Sequence, residues 1–241
     1  MSKDTYEYST YWDNATLQQM SMADCIRWYG TIRDWHVQLA KRIVDNKYIT
    51  IFDVGCGLCI IDATLMEKFP SYNYYYKGSE VTKKWIRIAK KNNCNIVFGN
   101  AYDIKEPDES YDVVLSLDVL NHLRDFKKPI AEMIRVSKKE VFISFFKEFK
   151  SPSEIEYKYE EHNLIYHYFN KQEIIDYLDT FSNIKYEFVD AERWSIGRGQ
   201  SYELVQIHKS IFPDESEAEW AFYPQENPVR ENHENLIITK V

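Results

Sequence analysis

The stretch Ile51-Phe52-Asp53-Val54-Gly55-Cys56-Gly57 decides the fold of this chain. Its first four residues have the largely apolar, strand-forming character of a buried β-strand, and its two glycines permit a sharp turn. A helix is predicted directly after the turn, from Leu58 to about Phe69, and Pro70 ends it. A strand, a glycine-rich turn and a helix in this order form a site for a nucleotide-like cofactor at the carboxyl end of a sheet.

Further apolar runs alternate with helical patterns along the chain. The predicted strands after the first one (48–54) are 73–77, 95–98, 111–117 and 140–146. This alternation predicts an α/β fold with a doubly wound, mostly parallel sheet. Two more strand patterns, at 184–190 and 202–209, are joined by a loop and predict an antiparallel pair at one edge.

The segments outside this pattern define the predicted domain organisation. Residues 1–47 are interpreted as an N-terminal helical cap, because apolar residues recur there at spacings of three and four. The main domain is predicted over 48–211, with a polar, Tyr-rich lid or substrate insertion at 150–170. Residues 212–241 are acidic and contain three prolines, so we interpret them as an irregular tail.

Composition and charge narrow the classes of function. The 241 residues carry a formal net charge of −8 without a basic stripe, which disfavours a nucleic-acid partner. The longest apolar runs are too short for a membrane span and no signal peptide is recognised. The four cysteines show no disulfide framework, so we expect a cytoplasmic protein. We expect it to be a monomer or a homodimer. The 19 Tyr, 13 Phe and 6 Trp favour an aromatic-walled pocket beside the core.

Polar side chains follow three successive predicted strands. These residues are Asp53, Glu80 and Asn100, and a parallel sheet brings such strand ends to one edge. Glu80 follows Gly57 at about the spacing of a ribose-binding acid, and a carboxylate can accept two hydrogen bonds from a ribose diol. Asn100 and the backbone N–H of Ala101 can contact the edge of an adenine. The pattern therefore predicts a nucleoside-binding edge.

Four motifs in this order resemble the class I S-adenosylmethionine-dependent methyltransferases. The motifs are Asp53-Val54-Gly55-Cys56-Gly57, Gly78-Ser79-Glu80-Val81, Gly99-Asn100-Ala101 and the run 111–123. The resemblance covers residues 48–146 well and the remainder only by the order of its elements. It implies a Rossmann-like, seven-stranded sheet with an antiparallel last hairpin. It also implies S-adenosylmethionine as the cofactor and S-adenosylhomocysteine as its product.

The resemblance also implies a role for each matched residue. Asp53 and Gly55 would lie beside the methionine end of the cofactor, Glu80 would hold the ribose, and Asn100 with Ala101 would hold the adenine. The remaining residues of the implied cofactor set are Cys56, Gly57, Val81, Leu117 and Asp118, the last two along the sulfonium. The family often has a third glycine where this chain has Cys59. The side chain of Cys59 must therefore point away from the cofactor, or the turn must open.

Two other functions share parts of this pattern. An NAD-dependent oxidoreductase also uses an acid at a strand end, but its G-x-G-x-x-G fingerprint requires glycine where Ile60 stands. A non-catalytic protein on the same fold would bind S-adenosylmethionine without turnover. Cys56 and Cys59 form a C-x-x-C, a spacing typical of redox or metal pairs. No second pair and no nearby His accompany it, so we interpret it as packing and predict no metal.

The acceptor is predicted to be a small molecule, sugar-like or anionic, that is methylated on an O or N atom. His122 could serve as a general base. We favour the alternative that it packs or caps the next helix, because methyl transfer mainly requires alignment. The other candidate acceptor-binding residues are Tyr11, Trp12, Tyr29, His167, Trp194 and Arg198. The run 118–121 lacks the Asn/Asp-Pro-Pro-Tyr motif of amino-group DNA methyltransferases, which disfavours DNA bases as acceptors.

Overall fold

The chain forms a central sheet flanked by helices in a computed structural model that describes residues 32, 34–159, 163–190 and 234–241. The strands are β1 (Thr50–Val54), β2 (Tyr75–Glu80), β3 (Ile96–Phe98), β4 (Tyr111–Leu117), β5 (Ser137–Ser144), β6 (Glu154–Tyr159), β7 (Leu164–Tyr168), β8 (Ile184–Asp190) and β9 (Glu234–Lys240). The helices are α1 (Asp34–Asp45), α2 (Ile60–Lys68), α3 (Lys83–Lys91), α4 (Lys127–Val136) and α5 (Lys171–Leu178), and a 3₁₀ turn covers Leu120–His122.

Seven strands form one sheet in the order β3-β2-β1-β4-β5-β9-β8. The pairs from β3 to β5 are parallel, and β9 is antiparallel to both of its neighbours. The predicted doubly wound sheet with an antiparallel edge is thereby confirmed. The strand order reverses between β1 and β4, and ligands of such sheets bind beyond the carboxyl ends of the strands at this switch point.

Both faces of the sheet are covered by apolar side chains. Phe52 and Val54 pack in a cluster with residues of α4 and α5, whereas Ile51 packs in a second cluster with residues of α1 and α2. Successive side chains of a strand point to opposite faces, so a strand buried on both sides reads as a continuous apolar run. This explains why Asp53, inside such a run, is buried and stands out in the sequence.

Helix α1 is fixed to the sheet by a buried polar cluster. The guanidinium of Arg42 donates two hydrogen bonds to the carboxylate of Glu140 on β5, at 2.9 and 2.7 Å. The hydroxyl of Tyr48 donates a third to the same carboxylate at 3.2 Å, and burial raises the pKa of Tyr48 to about 12. The described part of the predicted N-terminal cap, α1, is therefore a helix that packs on the sheet.

The antiparallel edge is built from a different segment than the sequence indicated. The structure does not describe residues 202–209, and the strand that pairs with β8 is β9, residues 234–240. The prediction of an irregular tail is therefore wrong for these residues. Only three apolar residues in a row, Leu236-Ile237-Ile238, mark the strand, and the acidic, proline-containing sequence before them concealed it. They are buried because β9 lies inside the sheet between β5 and β8.

Two other predicted boundaries shift. Strand β2 continues to Glu80, because Gly78 and Ser79 pair with β1 and Glu80 pairs with Phe98 of β3. The segment 150–170, predicted as a polar lid or insertion, contains β6 and β7, which form a separate two-stranded antiparallel sheet. Residues 160–162 between these strands lie outside the described part of the chain.

Replacing Leu236 by Ala tests whether β9 belongs to the core. Leu236 is fully buried in the same cluster as Phe52, so we expect the free energy of unfolding to fall by about 2–5 kcal/mol in a urea titration. Thr239→Ala, at an exposed position of the same strand, should cost less than about 1 kcal/mol. Equal, small losses for the two variants would contradict the placement of this strand.

Candidate functional site

The glycine turn after β1 is shaped by two positive φ angles. Gly55 has a φ of +71° and Gly57 a φ of +53°. The N–H groups of Gly55 and Cys56 both donate to the carbonyl oxygen of Ser79, at 2.8 and 3.0 Å, and so bind the turn to β2. A Cβ on Gly55 would lie 2.4 Å from a methyl carbon of Val119, whereas a Cβ on Gly57 would meet no atom within 4 Å. The turn is therefore closed at Gly55 and open at Gly57.

Glu80, at the carboxyl end of β2, is almost fully buried and points back to this turn. One carboxylate oxygen accepts the N–H of Gly57 at 3.0 Å. The other accepts the N–H groups of Val81 and Thr82 at 2.8 and 2.9 Å. Burial raises the pKa of Glu80, and these N–H donors oppose the shift by stabilising the ionised form. The carboxylate is thus oriented at the open side of the turn, as a ribose-binding acid requires.

Asp53 carries a buried oxygen that has no hydrogen-bond partner among the described residues. Its Oδ2 accepts the hydroxyl of Tyr76 at 2.8 Å, but Oδ1 is unsatisfied. Burial raises the pKa of Asp53 to about 7, and the neighbouring charge of Glu80 adds to the shift. A cationic ligand group beside Oδ1 would supply the missing partner and stabilise the carboxylate. The ammonium of the predicted cofactor's methionine end fits this requirement.

The turn after β3 places the predicted adenine-binding residues. The side-chain oxygen of Asn100 accepts the N–H of Tyr102 at 2.9 Å, and Asn100 and Asp103 form a β-bridge. Ala101 is buried against the apolar cluster beneath the turn. Asn100 therefore organises its own loop at the edge shared with Glu80. Its contact with an adenine remains a prediction.

Cys59 resolves the missing third glycine of the turn. It adopts a left-handed conformation, with a φ of +58°, immediately before α2. Its side chain is fully buried in the apolar cluster that also contains Cys56, and the two sulfur atoms lie 3.8 Å apart. Burial raises the pKa of Cys56 to about 11, which keeps its thiol protonated at neutral pH. These contacts fit the packing interpretation of the C-x-x-C.

The ends of β4 and β5 are joined next to this turn. Asp118 has a φ of +60°, its carboxylate accepts the hydroxyl of Ser144 at 2.7 Å, and its N–H donates to the same hydroxyl at 2.9 Å. Leu117, one residue earlier, is half-buried at the end of β4. The residues predicted to lie along the sulfonium thus come from a strand end held in place by its neighbour.

His122 is enclosed between β5 and β7. Its Nδ1–H donates to the carbonyl oxygen of Ile165 on β7 at 3.2 Å, and its ring packs on Phe146 and Tyr166. Burial lowers the pKa of His122 to about 4, so the ring is neutral at physiological pH. The contact with β7 shows a structural task that the sequence alone did not reveal.

The other predicted acceptor-binding residues fall into two groups. His167 is buried, and its Nδ1–H donates to the carbonyl oxygen of Leu123 at 3.0 Å, so it contributes to packing between β7 and the 3₁₀ turn. The remaining predicted residues lie outside the described residues: Tyr11, Trp12, Tyr29, Trp194 and Arg198. The sequence analysis did not identify Phe146, Lys147 and Tyr166, which lie around His122. These residues belong to no recognisable motif.

Comparison with known proteins agrees with this site. The family described as "Methyltransferase domain" matches residues 52–145, from β1 to the end of β5. A curated relative, ajmaline N-methyltransferase of Rauvolfia serpentina, is 31% identical over 101 residues, which cover 39% of this chain and 34% of the relative. An uncharacterised methyltransferase of Schizosaccharomyces pombe is 31% identical over 104 residues, which cover 39% of this chain and 37% of that relative. The chain thus matches about a third of the length of these relatives.

Solved structures share the fold at low sequence identity. A putative methyltransferase of Haloferax volcanii, solved with a methyltransferase activator, has a TM-score of 0.57 at 14% identity, over 90% of this chain and 94% of that one. The plantazolicin methyltransferase, solved with S-adenosylhomocysteine and a triazolic desmethyl analogue, has a TM-score of 0.52 at 14% identity, over 86% of this chain and 83% of that one. These structures confirm the predicted sheet, and the match over residues 52–145 agrees with the predicted family and cofactor. None of the helices in the described ranges is long and apolar enough to cross a membrane.

The pH dependence of stability tests the environment of Asp53. Its folded-state pKa of about 7 lies above the ordinary value of 3.8, so its contribution to stability is present at low pH and is lost as the pH rises from 4 to 7. Asp53→Asn should remove this loss. We expect the free energy of unfolding of the variant, minus that of the wild type, to rise by up to about 1.4 kcal/mol per pH unit across this window.

Urea titrations of both proteins at several pH values measure this difference, and subtraction cancels the other titrating groups. A difference that stays constant between pH 4 and 7 would mean that Asp53 is ionised throughout, contrary to the geometry of its buried oxygen.

Proposed function

We propose that this protein is an S-adenosylmethionine-dependent methyltransferase that transfers a methyl group to a nitrogen or oxygen atom of a small-molecule acceptor. The match of residues 52–145 to the family described as a methyltransferase domain supports this proposal. The observation that carries this proposal is the buried Glu80 carboxylate, held by the Gly57 N–H at the open side of the glycine turn. This carboxylate fixes the turn and, in the proposal, also accepts hydrogen bonds from the ribose diol.

S-adenosylmethionine supplies an electrophilic methyl group on a sulfonium with a good leaving group. The chain's own residues bind and align the two reactants, and alignment alone can account for much of the rate enhancement. In this proposal Glu80 accepts hydrogen bonds from the ribose diol, and Asp53 pairs with the ammonium of the methionine end. The turn at Asn100 and Ala101 contacts the adenine. Asp118 and Leu117, at the end of β4, border the sulfonium.

Nitrogen is our preferred acceptor atom. The support comes from the ajmaline N-methyltransferase relative, whose name specifies N-methylation and whose matched segment is 31% identical to this chain. An amine nucleophile also needs no strong base, because its neutral form carries the attacking lone pair. This agrees with a site in which His122 is a weak base.

The free thiols of Cys56, Cys59 and Cys94 support a cytoplasmic location.

Cofactor titration and methyl transfer together test this function. Calorimetry should show binding of S-adenosylmethionine and no comparable binding of NAD. Glu80→Ala should weaken S-adenosylmethionine binding by about 1–3 kcal/mol, because the ribose diol loses its charged acceptor and the turn loses the bond that holds it. Glu80→Gln keeps an acceptor for the N–H of Gly57, so its loss of binding free energy should be smaller. Glu173→Ala, at an exposed position of α5, is the matched control and should bind as the wild type does.

Turnover is then measured with a radiolabelled methyl donor and fractionated metabolite pools. Incorporation of label into a small-molecule fraction is the expected result. Cofactor binding without incorporation would indicate a non-catalytic binding protein, and preference for NAD would indicate an oxidoreductase. Either result would overturn the proposed function.

His122 is proposed to position β7 rather than to take a proton. Asn at this position places an amide nitrogen near the site of Nδ1 and can keep the bond to Ile165, whereas Phe cannot. We expect kcat of His122→Asn to stay within about tenfold of the wild type and KM of His122→Phe to rise. Loss of a general base typically costs about 10²–10⁴-fold in rate, so a loss of that size in kcat for His122→Asn would contradict this role.

A further inference from the structure

Three rings meet beyond the carboxyl ends of β4 and β5. The rings of His122 and Phe146 are 4.8 Å apart, those of Phe146 and Tyr166 are 5.3 Å apart, and those of His122 and Tyr166 are 5.6 Å apart. His122 follows β4, Phe146 follows β5, and Tyr166 extends from β7. We call these residues the aromatic triad.

The aromatic triad lies on one side of the switch point. The residues proposed to bind the cofactor, Asp53 and Glu80, belong to β1 and β2 on the other side of β4. The edge of a parallel sheet at its switch point is where ligands of this fold bind. A second ligand that binds on the β4–β5 side of the switch point would therefore lie next to the triad.

Lys147 places an ammonium on the face of this triad. Its Nζ lies 4.3 Å from the ring centre of Tyr166 and 5.5 Å from those of Phe146 and Tyr168. Rings at this distance attract a cation but do not neutralise it. Burial lowers the pKa of Lys147, and the charge of Lys158 lowers it further. This direction is expected for a half-buried ammonium without a close counter-ion.

The neighbouring lysines differ from Lys147 in this respect. Lys158 pairs with Glu156, and Lys150 pairs with Glu154 at 2.8 Å. Within the described ranges, Lys147 makes no ion pair or hydrogen bond to a carboxylate; Glu148 and Glu156 act on it only as more distant charges. A half-buried ammonium over aromatic rings thus retains its capacity to bind an anion.

We propose that Lys147 and the aromatic triad form the acceptor subsite, and that the acceptor carries an acidic group, a carboxylate or a phosphate, next to a flat ring. The inference rests on the proposed function and specifies its substrate class. The acid would pair with Nζ of Lys147, and the ring would pack against Phe146. A cationic acceptor would be repelled, because an ammonium already occupies the face of Tyr166.

Four probes with one ring and different charges test this subsite. They are benzoate, phenyl phosphate, benzamide and benzylammonium, titrated by calorimetry into the protein saturated with S-adenosylhomocysteine. We expect at least one of the two acids to bind at least about tenfold tighter than benzylammonium, equivalent to about 1.4 kcal/mol, with benzamide between them. Comparison of benzoate with phenyl phosphate distinguishes a carboxylate site from a phosphate site.

Variants assign the effect to one side chain. Lys147→Met should abolish the preference for acids, and Lys147→Arg should retain it. Lys158→Met, which removes a lysine already paired with Glu156, should leave the preference unchanged. The inference is overturned if no acid binds, if all probes bind equally, or if the preference persists in Lys147→Met. The same titrations without S-adenosylhomocysteine do not depend on methyl transfer, so they separate failure of the subsite from failure of the proposed function.

Discussion

The hydrogen bond from the Gly57 N–H to the buried carboxylate of Glu80 is the constraint on which the site depends. It joins a turn after β1 to the last residue of β2, and the carbonyl of Ser79 reinforces the junction by accepting two more N–H groups from the turn. A buried carboxylate is costly unless hydrogen bonds satisfy it, and Glu80 receives three from the backbone. The turn and the acid therefore hold each other in one geometry.

The remaining polar groups of the edge are arranged around this junction. Asp53 lies two residues before the turn with one oxygen satisfied by Tyr76, and Asp118 is held at the end of β4 by Ser144. The acids near β1 and β2 suit the ammonium of a methionine moiety and the hydroxyl groups of a ribose. Beyond β4 and β5 the character changes to rings and an ammonium. The switch point thus separates two chemically different halves of one edge of the sheet.

Much of the fold, and of the half of this edge that we propose to bind the cofactor, follows from the sequence. The run 51–57 and the strand pattern of β4 are local signals, because a strand buried on both faces must be apolar throughout and a left-handed turn favours glycine. Glu80 could be located because its spacing from Gly57 is set by one strand–turn–helix unit. All of these signals are read within short windows of the chain.

The sequence was less informative where the structure depends on distant contacts. The three apolar residues of β9 are as short a run as many loops contain, and only pairing with β5 and β8 makes them a strand. Lys147 carries no motif, and its significance arises from the rings that β5 and β7 bring around it. The hydrogen bond of His122 to Ile165 likewise joins residues 43 positions apart.

The position of β9 has a consequence for how the protein is made. β5 is complete at Ser144, but the strand that covers its outer edge begins only at Glu234. Among the strands of the described ranges, β9 is also the only neighbour of β8 in the sheet. During synthesis, the parallel strands β1 to β5 leave the ribosome before β9. Until β9 has been translated, its pairing with β5 cannot form, and the backbone groups at that edge of β5 lack this partner. Synthesis therefore passes through a stage in which a nearly complete domain exposes an edge strand that can pair with other chains. Chaperones that bind nascent chains are suited to cover such an edge.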